Sequence, residues 1–363
     1  MNKGTTAGRI HYVYMDILRI FACLCVIYNH TNERGFMRLA TDDLGSGAFF
    51  LDVTMSTICK VGVPLFFMMS GALLIKKEEE VKRTLLRIPR ILIDLIVFTF
   101  LYSIVDAKIM GYPFSFESTI QTMVGTNYWH LWYLYAYIVF LISLPVLRKL
   151  AAGLDETSSK YLFWLAFFFM GIYPMLEALS PVGINNELKL TWVTANVFIY
   201  PMLGYAIEQK IPREFFTKER LVRLWILNIA CFVVSEIAEF LLMKSQVGKD
   251  MGGYFDERFL ISFCVLNAVL IYATVRHLTE KASFSEKAKA VLAEVGKDTF
   301  GIYLLHIWFL WKIPALYQIY NKLEHAGVFG YHFGILVSCI IAFICAGIVT
   351  SVLRRIPVIK KLF

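Results

Sequence analysis

The sequence predicts an all-α bundle of membrane-spanning helices with no soluble domain. Hydrophobic residues make up 58% of the 363 positions and charged residues only 18%, whereas soluble domains average about 45–50% and about 25%. Apolar runs long enough to cross a hydrocarbon core of about 30 Å recur along the whole chain. Basic residues are concentrated in every second loop between these runs, as is typical of a polytopic membrane protein.

About ten apolar runs can be delimited, each close to the roughly 20 residues that a spanning helix needs. The second run contains Gly62 and Pro64, which predict a kink or a tilt. The connections are too short for a folded domain, so residues 1–363 are treated as a single membrane domain. The runs are 12–31, 47–75, 88–108, 128–148, 160–179, 190–207, 221–243, 257–277, 299–320 and 331–353.

The loop charges predict the orientation of the chain. Lys and Arg cluster in the loop 76–90, and they recur after the fourth, sixth and eighth runs and in the C-terminal tail. Because the basic side of a polytopic protein faces the cytoplasm, both termini are expected there. The expected location is the cell membrane, interpreted as a bacterial plasma membrane. The same distribution accounts for the net charge of +8 without a nucleic acid as partner.

The first run carries the polar residues that favour a functional site. A charge inside a membrane helix costs about 2.5–3.5 kcal/mol on insertion scales, so such residues usually serve a purpose. Arg19 and His30 are eleven positions apart, and at about 100° per residue both project from one face, about 16 Å apart along the axis. Asp16 shares that face. The alternative is structural: an interfacial ion pair and a solvated histidine.

Three further runs contribute candidate residues. Ser70, next to Gly71 in the second run, either lines a cavity or permits close helix packing. His130 begins the fourth run among interfacial aromatic residues, at the same membrane level as His30. His306, in the ninth run, is either functional or a hydrogen-bonded core histidine. The phosphate-loop, serine-hydrolase and zinc-protease motifs do not occur, the seven cysteines show no metal spacing, and no metal is predicted.

These residues lie in four stretches that together resemble the acyltransferase-3 family of membrane acyltransferases, which O-acylate glycans and other extracytoplasmic acceptors. The stretches occur in the family's order and over most of the chain. The family often adds a C-terminal soluble domain, which this sequence does not show, and the acceptor is left open. The stretches are DILRIFACLCVIYNH ending at His30, FFMMSGALL ending at Leu74, HLWYL starting at His130, and GIYLLH ending at His306.

The resemblance implies an enzyme that moves an acyl group, expected to be acetyl, from cytoplasmic acyl-CoA to a hydroxyl of an extracytoplasmic glycan or lipid-linked sugar. It implies that His30 acts as general base, because imidazole titrates close to neutral pH. Arg19 is expected to hold the phosphates of acyl-CoA by charge-assisted hydrogen bonds. Asp16 and His306 are assigned with Arg19 to binding of acyl-CoA.

The predicted catalytic set is His30, Arg19, His130 and Ser70. Attack on the thioester makes an oxyanion that needs a hydrogen-bond donor, and Tyr28, Asn29, Ser70 or His130 could supply it. Direct transfer and an acyl-histidine intermediate are both open, as is self-association into a homo-oligomer.

Two other functions remain as alternatives. The first is a transporter or flippase of a glycan precursor, although the sequence lacks the matching halves common in transporters. The second is a membrane sensor or scaffold.

Overall fold

The computed structural model describes residues 12–40, 43–126, 128, 130–180, 184–191, 195–246, 257–326 and 330–362. Within these ranges the chain is helical, with turns between the helices and no β-strand. The predicted all-α membrane bundle is therefore confirmed. The predictions that concern the first eleven residues lie outside the described residues.

The α-helices follow one another closely along the chain, and three of them continue directly into a short π-helical segment. These segments are Thr122–Thr126, Phe168–Ile172 and Trp308–Lys312. The α-helices are α1 Val13–Asn29, α2 Gly47–Cys59, α3 Gly62–Leu74, α4 Val81–Leu85, α5 Ile88–Met110, α6 Phe116–Gln121, α7 Trp132–Ala152, α8 Glu156–Phe167, α9 Tyr173–Leu179, α10 Asn196–Gln209, α11 Lys218–Gln246, α12 Glu257–Ile261, α13 Cys264–Lys281, α14 Glu286–Ile307, α15 Pro314–Glu324 and α16 Gly330–Leu353.

Each predicted run overlaps a helical segment, and the irregularity expected at Gly62 and Pro64 lies at the junction of α2 and α3. The run 299–320 spans the end of α14 and most of α15, which are separate helices. In the described part of the chain, seven segments are long and apolar enough to cross a membrane, and an eighth is Glu286–Lys312 with Pro314–Glu324, bent by 75°. The seven are Gly47–Leu74, Val81–Met110, Trp132–Ala152, Glu156–Leu179, Lys218–Ser245, Glu257–Lys281 and Tyr331–Leu353.

Two of the predicted spans are short helices. α1 has 17 residues and α10 has 14. At 1.5 Å per residue, α10 is only about 21 Å long, which is less than the hydrocarbon core of about 30 Å. The prediction of about ten spans is thus approximate.

α10 packs directly on α3 because glycines remove side chains from the contact. A Cβ on Gly71 would collide with the carbonyl oxygen of Pro201, and a Cβ on Gly204 would collide with that of Met68. Small residues commonly allow this backbone contact between membrane helices. The packing interpretation of the Ser70-Gly71 pair therefore applies to Gly71.

α1 and α14 run parallel and contact each other along most of α1. At one end, a Cβ on Gly296 would come within 2.6 Å of Asp16 Oδ1. In the middle, the Cys23 thiol lies 3.7 Å from the Thr299 carbonyl oxygen. Farther along both helices, His30 meets His306. The face of α1 that carries Asp16 and His30 is therefore directed toward α14.

Arg148 of α7 forms hydrogen bonds with the end of α3 and with the segment between α3 and α5. It donates to the Leu74 carbonyl oxygen, to Thr84 Oγ1 at 2.7 Å and to Glu79 Oε2 at 3.1 Å. Arg87 donates to the other oxygen of Glu79 at 2.7 Å. These hydrogen bonds, first from Arg87 and then from Arg148, lower the pKa of Glu79 to about 2.

The contact between α3 and α10 predicts the effect of a single methyl group. We expect Gly204→Ala to destabilise the protein by about 1–3 kcal/mol, because the added Cβ meets rigid backbone. Thermal unfolding of the detergent-solubilised protein measures this. Gly47→Ala is the control, since its Cβ would meet nothing within 4 Å. Equal unfolding temperatures for Gly204→Ala and the wild type would contradict the described contact.

The ion pairs of Glu79 predict a pH-dependent contribution to stability. A carboxyl whose pKa is lower in the folded state stabilises the fold above its unfolded pKa of about 4.3, and this is lost as the pH falls toward the folded value. Glu79→Gln should therefore unfold at a lower temperature than wild type at pH 7, and the difference should shrink below about pH 4.3. Unfolding curves across this range test it. Glu78→Gln, at the exposed neighbour, should match wild type throughout.

Candidate active site

His30 and His306 form a hydrogen-bonded pair between α1 and α14. Nδ1 of His30 is 2.6 Å from Nε2 of His306, and the two ring planes differ by 13° with their centroids 4.8 Å apart. His30 is 9% exposed and His306 is fully buried. The structure thus joins a predicted base to a residue that the sequence assigned to binding of acyl-CoA.

His130 completes a cluster of three histidines from three separate stretches of sequence. Its ring centroid is 6.5 Å from that of His30 and 6.2 Å from that of His306, and its ring is nearly perpendicular to both. Tyr102 packs against the ring of His130 with centroids 4.4 Å apart. The prediction that His30 and His130 share one level of the membrane agrees with this geometry.

Side chains of α14 and of the segment directly after it donate hydrogen bonds to the backbone of the other two histidines. The Tyr303 hydroxyl donates to the His130 carbonyl oxygen at 2.6 Å, and the Trp311 indole N–H donates to the His30 carbonyl oxygen at 2.8 Å. Trp311 lies in the π-helical segment after α14, and such segments are frequent at functional sites. The arrangement keeps the cluster together although its members are far apart in sequence.

A cavity of about 610 Å³ adjoins the cluster, and His30 forms part of its wall. This volume is in the range of small-molecule sites. Asn29, Lys60, Trp132 and Tyr133 also line the cavity. The wall therefore combines aromatic rings, an amide and a charged group around an imidazole.

Two polar side chains of the cavity wall, those of Asn29 and Lys60, make specific contacts. The amide nitrogen of Asn29 donates to the Cys59 carbonyl oxygen at 2.9 Å, while its own carbonyl oxygen has no partner within the described ranges. Nζ of Lys60 lies 3.5 Å from Oε2 of Glu257 and 4.1 Å from the centroid of the Phe36 ring. The ammonium charge in the wall is thus balanced by a carboxylate.

Arg19 lies at the other end of α1 and does not line this cavity. Its guanidinium is 2.8 Å from Asp16 Oδ1, and its side chain is 32% exposed while that of Asp16 is only 4% exposed. The cation is partly exposed, and its charge is partly balanced by a buried carboxylate.

The four candidates for stabilising an oxyanion occupy different places. Asn29 lines the cavity, whereas His130 lies behind the wall. The Ser70 hydroxyl interacts with Tyr133 and Tyr137, and the hydroxyl of Tyr28 interacts with Ser56. Neither Ser70 nor Tyr28 contributes to the wall.

Sequence reasoning did not single out Tyr303, Trp311 or Lys60. Tyr303 is three positions before His306, so helical spacing already put both on one face. Lys60 is a charge within a predicted membrane run, which is itself a functional signal. The contact of Trp311 with His30 depends on tertiary packing and has no sequence signal.

Over the part of the chain that the structure describes, no group of three or more His, Cys, Asp or Glu side chains is arranged to hold a metal ion.

The long apolar helices define the class as an integral membrane protein, and buried histidines lie beside a ligand-sized cavity within it. The sequence model of the acyltransferase-3 family, which describes an acyltransferase domain, matches residues 12–351 of the chain. The chain therefore belongs to this family of membrane acyltransferases. The resemblance identified from the four motifs is thereby confirmed. Neither the curated proteins nor the solved structures contained a match to the chain.

Proposed function

We propose that the protein transfers an acyl group, expected to be acetyl, from cytoplasmic acyl-CoA to a hydroxyl of an extracytoplasmic glycan or lipid-linked sugar, with His30 as general base. The observation that carries the proposal is the position of His30 in the wall of the cavity, while Arg19 is accessible at the opposite end of the same helix. Membership of the family supplies the class of reaction.

The cavity wall supports a sugar as acceptor. Sugar rings present apolar C–H faces that pack on aromatic side chains such as Trp132 and Tyr133, and hydroxyls that hydrogen-bond to amides such as Asn29. The loop charges predict that the end of the bundle with His30 is extracytoplasmic. This orientation, in a cell membrane with both termini in the cytoplasm, is part of the proposal.

In the proposed reaction, His30 takes the proton of the acceptor hydroxyl while the oxygen attacks the thioester carbonyl carbon. The tetrahedral intermediate collapses with cleavage of the carbon–sulfur bond, and the proton on His30 passes to the departing CoA thiolate. Asn29 is the candidate oxyanion donor that lines the cavity, and one of its two amide hydrogens is already engaged by Cys59. Transfer through an acyl-histidine is the alternative.

Arg19 is proposed to bind the phosphates of the donor. A guanidinium forms bidentate, charge-assisted hydrogen bonds with phosphate oxygens, and the exposure of Arg19 leaves it accessible to an anion. The thioester arm would then extend along α1 over the roughly 16 Å that separate Arg19 from His30.

The first test removes the proposed base. We expect His30→Ala to lower acyl transfer at least about 10²-fold, because general-base catalysis contributes about 10²–10⁴-fold. The measurement follows release of CoA from labelled acyl-CoA by the purified protein with a sugar acceptor. His325→Ala, which removes an exposed histidine directly after α15, should retain wild-type activity.

Two results would contradict the function. Normal transfer by a correctly inserted His30→Ala protein would exclude the catalytic assignment. A wild-type protein that moves a glycan precursor across vesicles and leaves the thioester intact would instead indicate a transporter.

The second test separates binding of the donor from chemistry. Arg19→Ala should raise the KM for acyl-CoA about tenfold or more with a much smaller change in kcat, because it removes a charge-assisted contact to phosphate. Lys322→Ala removes one exposed cation from α15, near the other end of the bundle, and should leave this KM unchanged. An unchanged KM with a lost kcat in Arg19→Ala would show that Arg19 does not bind the donor.

A further inference from the structure

We infer that His306 is a positioning residue that fixes the tautomer of His30, with the ring hydrogen on Nδ1 and with Nε2 as the basic nitrogen. This inference rests on the proposed function, in which His30 is the base. It concerns two hydrogen bonds, one between His30 Nδ1 and His306 Nε2 and one between His306 Nδ1 and the Tyr303 carbonyl oxygen.

The carbonyl oxygen of Tyr303 sets the direction of the chain of hydrogen bonds. It lies 2.6 Å from Nδ1 of His306, and because a carbonyl can only accept, that nitrogen carries a hydrogen. A neutral imidazole has one N–H, so Nε2 of His306 is an acceptor. His30 Nδ1, 2.6 Å from it, must therefore donate.

This assignment determines the protonation of His30. With its hydrogen on Nδ1, a neutral His30 has an unprotonated Nε2, the nitrogen that a base needs. The opposite tautomer would require a hydrogen on Nε2 of His306, which is possible only if that ring is an imidazolium, since its Nδ1 is already protonated. Neutral His306 is thus the state in which His30 can act as a base.

The same hydrogen bond gains strength during the reaction. When Nε2 of His30 takes the hydroxyl proton, the ring becomes an imidazolium, and its Nδ1–H bond to His306 becomes charge-assisted. An interaction that is stronger in the transition state than in the ground state raises kcat rather than affinity. The role resembles that of the carboxylate in a serine-hydrolase triad, which holds the imidazole in the correct tautomer.

The kinetic test compares two substitutions of similar size. Gln at position 306 retains a side-chain oxygen that can accept from His30 Nδ1, whereas Leu has no acceptor. We expect His306→Leu to lower kcat about 10²–10⁴-fold with little change in the KM for acyl-CoA or the acceptor. Because Gln supplies an acceptor, the kcat of His306→Gln should be at least about tenfold higher than that of His306→Leu. Equal activities of the two variants would show that His306 has only a packing role.

A spectroscopic test reads the tautomer without relying on turnover. Nitrogen-15 spectra of the histidine side chains, recorded on the full chain in nanodiscs, distinguish protonated from unprotonated ring nitrogens, and His30→Gln identifies the signals of His30. The wild type should show His30 protonated on Nδ1 and unprotonated on Nε2. His306→Leu should abolish this preference. A wild-type His30 protonated on Nε2 would overturn the inference.

His325→Gln is the matched control for both tests. His325 is an exposed histidine whose Nδ1 also contacts a helix carbonyl oxygen, that of Asn321 at 2.7 Å. It should change neither the rate nor the His30 signals. The two hypotheses fail separately: acyl transfer by His30→Ala contradicts the proposed base, whereas loss of transfer in His30→Ala with a fully active His306→Leu contradicts only the role of His306.

Discussion

The parallel contact of α1 with α14 is the constraint on which the candidate site depends. It is set by Asp16 against Gly296 at one end, and it ends at the bond between His30 and His306. If α1 were turned by one residue, His30 would rotate by about 100° and leave its partner. Because lipid solvates apolar side chains as well as a protein interior does, such specific polar and small-residue contacts fix the helices relative to one another.

Much of the fold could be predicted from the sequence because it depends on local properties. The length of the apolar runs predicts the helices, and eleven-residue spacing predicts that Arg19 and His30 share a stripe of α1. The short α10 was less predictable, since its stability depends on backbone contact with α3 at Gly71 and Gly204. In the sequence, residues 299–320 likewise form one apolar run, whereas the structure bends by 75° at the break before Pro314.

The site could be predicted only in part, for a physical reason. Single-helix patterns identified His30, His130 and His306, each as a polar residue in an apolar run. Which of them touch depends on the relative rotation of three helices, and a bond between residues 276 positions apart leaves no periodic trace in the sequence. The sequence assigned His306 to binding of acyl-CoA and Ser70 to catalysis, and both assignments remain predictions. The structure adds that His306 bonds His30 and that the Ser70 hydroxyl interacts with Tyr133 of the cavity wall.

The buried carboxylate of Asp16 lies at the interface of α1 and α14. Its Oδ1 is 2.8 Å from the guanidinium of Arg19, and a Cβ on Gly296 would come within 2.6 Å of the same oxygen. One oxygen thus serves both the ion pair of Arg19 and the close approach of α14, so a side chain larger than glycine at position 296 would disturb both contacts at once. If Arg19 binds the donor as proposed, the donor phosphate competes with Asp16 for the guanidinium, and any resulting coupling to the helix contact is reciprocal.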